Sequence, residues 1–164
     1  MTKKSILWAV LLASVMGLLL PVFPAVCIED AKNDLLLAAF PAPESQAFHI
    51  AFKHSVNRTE VREYYVVHQE TLILARAEYS SFGAGMPEVP EKSGSVLESR
   101  EGVLQLNGIN QPMESFIYRV GTIANHTLVR DGSAVPLKTI APPQTALRFS
   151  YRRIPAIVLL RRHV

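Results

Sequence analysis

From Gln46 onward, apolar side chains recur at every second position, and no stretch past residue 45 carries a helical apolar face over three turns. A two-residue period puts alternate side chains on opposite faces of an extended strand. In residues 48–54 (FHIAFKH), Phe48, Ile50 and Phe52 share one face and His54 stands at its end. Residues 60–67 (EVREYYVV) are rich in the β-branched and aromatic types that fit a pleated surface. In residues 71–79, Ile73, Ala75, Ala77 and Tyr79 fall on one side. Three such strands with short connections predict an antiparallel meander, because parallel neighbours need long crossovers.

Further strands are expected at 95–98, 103–106, 115–120, 127–130, 134–140 and 145–151. Asn107-Gly108 and Asp131-Gly132 read as hairpin turns, whose two central positions want positive φ. The fold class expected is all-β, an antiparallel sandwich or partly open barrel, preceded by an N-terminal signal or anchor helix.

The chain opens differently. Lys3 and Lys4 form a basic start, residues 5–20 are continuously apolar or small, Pro21 follows, and charge resumes only at Glu29. That order is the pattern of an export leader, with the basic end held in the cytoplasm. The best small-x-small cleavage candidate is Ala25-Val26-Cys27. A cleaved signal is the favoured reading, with an uncleaved anchor and a lipidated Cys27 as alternatives. The expected organisation is therefore residues 1–27 as signal peptide or membrane anchor, 28–45 as linker with one helical turn near 34–39, 46–151 as the β domain, and 152–164 as a tail. The expected location is extracytoplasmic, in the periplasm or on the cell surface.

Charge and cysteine content narrow the function. The formal net charge is +3, and +1 without the two leader lysines, with no clustered basic face. Nucleic acid is not an expected partner. With Cys27 alone, no disulfide forms within the chain and a buried apolar core must hold the fold. The five histidines show no metal-ligand spacing, so neither a metal nor a cofactor is expected.

Two constellations could carry chemistry. His54 and Ser55 end one strand, and Glu60 and Glu63 lie in the next. A carboxylate beside an imidazole orients it and raises its pKa, which suits acid–base work or ligand capture. Glu60 and Glu63 face opposite sides of a strand and so cannot act as a pair. The second is residues 80–87 (SSFGAGMP), where Gly83 and Gly85 around Ala84 permit positive φ and a backbone anion nest, followed by Met86. Neither is a catalytic motif: G-x-S-x-G and G-x-G-x-x-G are both absent. Read blandly, His54 caps a strand and the glycines make a bend.

Residues 52–56 (FKHSV), 61–65 (VREYY) and 79–87 (YSSFGAGMP), with a closing element at 126–137, resemble a family of small secreted bacterial proteins known as domain of unknown function 1850. The resemblance covers roughly residues 46–139, and the chain departs from it in a long extension after Ile140. Its signature positions fall on His54, Ser55, Val56, Glu63, Gly83, Ala84, Gly85 and Met86. Family members are often encoded beside TRAP transporters of the TAXI type, so the resemblance implies an accessory role in solute uptake, with a TRAP transporter or its solute-binding protein as partner. The favoured expectation is an exported accessory or binding protein whose biochemical activity the sequence leaves open, with a non-enzymatic role favoured over an enzymatic one. The alternatives are a small hydrolase using His54 with a glycine-turn pocket, and a ligand-free envelope structural protein.

Overall fold

A computed structural model describes residues 3–54, 58–80, 94–100, 102–162 and 164. Helix α1 (Lys3–Leu19) comes first. Eleven strands follow among the described residues, in two antiparallel sheets that face each other as a sandwich. The smaller sheet has the order β2 (Leu35–Pro41), β1 (Phe23–Asp30), β11 (Ala146–Ile154), β8 (Ser115–Arg119). The larger runs β10 (Ser133–Pro136), β9 (Thr127–Arg130), β3 (Ala47–Lys53), β4 (Glu60–His68), β5 (Thr71–Tyr79), β7 (Val103–Met113), β6 (Val96–Arg100). The expected meander is β3-β4-β5, paired in sequence order. No helix among the described residues is long and apolar enough to cross a membrane.

Alternation fills the space between the sheets. Val26, Ile28, Phe40, Leu147 and Phe149 point inward from the small sheet and meet Phe48, Ile50, Val67, Leu72 and Leu128 from the large one. Aromatic rings bridge the layers. Tyr65 stacks on Phe116 with centroids 4.1 Å apart, and Phe116 stacks on Phe149 at 5.0 Å. Such pairs add about 0.5–1.5 kcal/mol each beyond the area they bury.

Four expectations need correction. Residues 28–45 are not a linker: β1 and β2 occupy most of that stretch and form half of the small sheet. Ala25, Val26, Cys27 and Ile28 are all fully buried, because the core covers one face of β1 and helix α2 (Ala156–Arg162) packs Val158 and Leu159 against the other side of the sheet. A strand covered on both faces shows no alternation, only an apolar run. That run continues the apolar N-terminal segment, which is why the expected boundary at residue 27 falls inside a strand. A lipidated Cys27 is likewise out of place, since its Sγ accepts a hydrogen bond from Arg152 Nε at 3.3 Å inside the sheet.

The third correction concerns Asn107-Gly108, which makes no turn. It lies within β7, where the ladder to β5 jumps from Leu74–Gln111 to Arg76–Asn107. Positive φ there builds a bulge instead of a hairpin; Asp131-Gly132, with φ of 49° and 78°, does turn β9 into β10. The fourth is at the C-terminal end, where β11 runs on to Ile154 and the tail beyond it is helix α2.

Candidate functional site

Strand β4 keeps its alternation throughout, so Val61, Glu63, Tyr65 and Val67 share one face, and three of the four are deeply buried. Glu63 is thereby set as a carboxylate in an apolar row facing the small sheet. Arg62 and Glu60 stand on the outer face, where Arg62 Nε donates to Glu60 Oε1 at 2.6 Å. The two glutamates are thus on opposite faces, as alternation requires.

Opposite Glu63, Tyr118 reaches across from β8, the edge strand of the small sheet. Tyr65 O–H donates to Glu63 Oε2 at 3.1 Å, and Tyr118 O–H donates to the same oxygen. The two hydroxyl oxygens are themselves 3.0 Å apart. Three oxygens therefore lie within hydrogen-bonding reach of one another. Each tyrosine has one proton to give and an ionised carboxylate has none, so two protons serve three contacts. A proton on Glu63 completes the ring. Burial lifts the Glu63 pKa above the usual carboxylate range, opposed by the bond from Tyr65. Burial and then the Glu63 charge raise Tyr65, and Tyr79 is pushed up to about 12 by the same two causes in the same order.

The ring of oxygens borders an open cleft of about 420 Å³ lined by Glu63, Tyr65, Leu74, Met113, Phe116 and Tyr118, among others. On the other side, Tyr118 meets Phe52 at 5.9 Å and His126 at 5.4 Å between ring centroids. His126 Nδ1 is buried without a hydrogen-bond partner, and burial lowers the pKa of the ring, which keeps it neutral at pH 7. An apolar wall with a few convergent polar groups is the usual construction of a small-molecule site.

A second polar cluster, on the outer face, is closed on itself. Buried Glu78 accepts from Tyr64 O–H at 2.7 Å and pairs with Arg62 and Arg76 at 3.6 and 3.4 Å. Arg76 also lies 3.9 Å above the Tyr64 ring. With its charge answered by two guanidinium groups, this cluster reads as sheet reinforcement.

Of the residues singled out from sequence, His54 follows β3, where its N–H donates to Thr59 O at 2.8 Å and its C=O accepts from Arg58 N at 3.0 Å, closing a short loop. Ser55, Val56, Gly83, Ala84, Gly85 and Met86 lie outside the described residues. Glu63 is in the cleft, but it bonds two tyrosines, and Glu60 bonds Arg62. Among the described residues no three His, Cys, Asp or Glu side chains group as a metal site. Sequence reasoning missed Tyr65, Tyr118 and His126. Tyr65 was within reach, since it sits two residues from Glu63 on the same strand face; Tyr118 is 53 residues from Tyr65 and only the sandwich brings them together.

A family profile described as Domain of unknown function (DUF1850) matches residues 48–137, which include β4, β8, His126 and all of β3 but its first residue. No curated protein and no solved structure matches the chain.

Proposed function

The chain belongs to the DUF1850 family, and on that premise we propose that it is an exported binding protein whose ligand seat is the Glu63–Tyr65–Tyr118 cleft, working beside a TRAP-type solute transporter. The observation that carries the binding reading is the proton-deficient ring. With Glu63 ionised, the two tyrosine protons leave acceptor lone pairs on the three oxygens unused, and a ligand that brings a donor, an ammonium or a hydroxyl, can bond to them. An ammonium also answers the half-buried charge of Glu63, and the rings of Tyr65, Phe116 and Tyr118 offer it faces and apolar contact. The ligand class is a small, partly apolar solute with a cationic or hydroxyl head. The transporter link is supported by the company that members of this family keep, beside TAXI-type systems, and by the leader-like start of the chain.

Benzylammonium, benzyl alcohol and benzoate are three probes of one size and three head groups. Titrated against the protein and followed by NMR shifts of the tyrosine rings, benzylammonium is expected to move Tyr65 and Tyr118, benzyl alcohol less, and benzoate not at all. Glu63→Gln is expected to weaken benzylammonium at least tenfold. Equal response to benzoate, or an unchanged affinity in the variant, overturns the cleft as a cation seat. For the transporter link, the protein is expected to co-purify from the envelope with the transporter or its solute-binding protein; no association, with unchanged uptake in a deletion strain, removes that part of the reading.

A further inference from the structure

We propose that the apolar leader stays on the mature chain, because the one segment a leader peptidase could recognise is built into the small sheet. The inference rests on reading the N-terminal segment as an export leader. Such a peptidase needs small residues one and three positions before the cut. Between residues 5 and 28, Ala25 and Cys27 are the only small residues two apart. Both belong to β1, which lies between β2 and β11 and pairs with each.

A cut after Cys27 would remove five of the eight residues of β1. Residues 150–154 of β11 would lose their ladder partners Phe23–Cys27, and Pro41, Phe40 and Ala39 of β2 would lose Ala25, Val26 and Cys27. Val26 and Cys27 are both fully buried, so the core would open from two sides. Arg152 would keep its ion pair to Glu29 but lose Cys27 Sγ. A chain cut there cannot hold this fold, and a chain that holds it has not been cut there.

The stretch before β1 gives no second chance. Residues 20–23 are Leu, Pro, Val and Phe, none of them small. This link is also engaged: Leu20 N donates to Met16 O at 3.2 Å, Val22 N to Leu20 O at 2.9 Å, and Val22 O accepts from Arg153 at 3.1 Å. Helix α1 ends only three residues before the sheet begins, and it touches α2 on the outer side of that sheet. Leu7, Trp8, Leu11, Leu12, Met16 and Leu19 are exposed around it, and past its basic first turn the described side chains offer water no polar face. Its 17 residues rise about 25 Å, short of the ~30 Å hydrocarbon layer, a mismatch a bilayer meets by thinning. Lipid is the occupant that surface fits, and retention holds the β domain against the membrane by its small sheet.

The test uses the full chain expressed in a Gram-negative bacterium. Intact mass spectrometry of the membrane fraction is expected to return the uncut 18.2 kDa species. That species should resist alkaline extraction, and protease added to spheroplasts should digest its β domain. A folded species in the soluble periplasmic fraction that begins at Ile28, or at any residue after Leu19, overturns retention while leaving export intact. A domain that protease cannot reach in spheroplasts, yet digests after lysis, overturns the export reading and this proposal with it.

Discussion

Glu63 shows how one side chain can link fold and site. The inward face of β4 would bury more comfortably with a valine there, yet a carboxylate stands between Val61 and Tyr65. Its raised pKa sets a sign for stability. A folded-state pKa above the unfolded one means the native state holds its proton longer. The associated stability is full below the ordinary carboxylate pKa and is lost as pH rises through the raised one. The loss accrues at about 1.4 kcal/mol for each pH unit between the two values. The informative quantity is the difference from Glu63→Gln, whose amide donates without titrating. Urea midpoints at pH 4, 5.5 and 7 are expected to show the wild type falling relative to the variant as pH rises. Parallel curves would mean the carboxylate is as well solvated as in the unfolded chain. The face this residue takes was legible from alternation alone, because it shares a row with Val61, Tyr65 and Val67. Its partner Tyr118 was not, since pairing across two sheets leaves no trace in local period. His126 stayed hidden for the same reason: its contacts to Phe52 and Tyr118 depend on packing between layers.

At the scale of elements, the local pattern located strands well and misjudged what interrupts them. Asn107-Gly108 carries a strong hairpin signal, but the physical content of that signal is only a tolerance for positive φ. The same tolerance serves a bulge, and β7 uses it to pass Ala75 of β5 without losing the ladder on either side. Gly108 has φ of +72°, and a Cβ there would meet Gly94 O at 3.4 Å. Gly108→Ala is therefore expected to cost about 1–2 kcal/mol, the penalty of holding an L side chain in the left-handed region. Equilibrium urea unfolding checks it; a loss under a few tenths would show that β7 relaxes out of the bulge. The strands β1 and β2 were missed for an opposite reason. Their signal is too apolar, since burial on both faces of β1 erases the alternation that marks a half-buried strand.

For the whole molecule, the unequal sheets explain where the cleft is. Seven strands face four, and the large sheet extends past β8, one of the two edge strands of the small one. Tyr118 stands on that edge strand, and the cleft opens beside it over β4, β5 and β7. The small sheet thus determines whether the site exists at all, and β1 holds the small sheet together by pairing on both sides. Removing residues 23–27 takes away the buried side chain of Val26, worth about 1.5–3 kcal/mol by itself. It also uncovers the facing edges of β2 and β11 and strips ladder bonds from both. Against a total of about 5–15 kcal/mol for a domain of this kind, that one side chain is already a sizeable share, and the lost ladder bonds add to it. A chain beginning at Phe23 is expected to unfold cooperatively, with dispersed amide and tyrosine resonances. One beginning at Ile28 is expected to lack both, and to leave benzylammonium unbound because β8 no longer has a sheet to belong to. If the shorter chain instead melts as sharply as the longer one, the small sheet stands without β1, and the site owes its position to the large sheet alone.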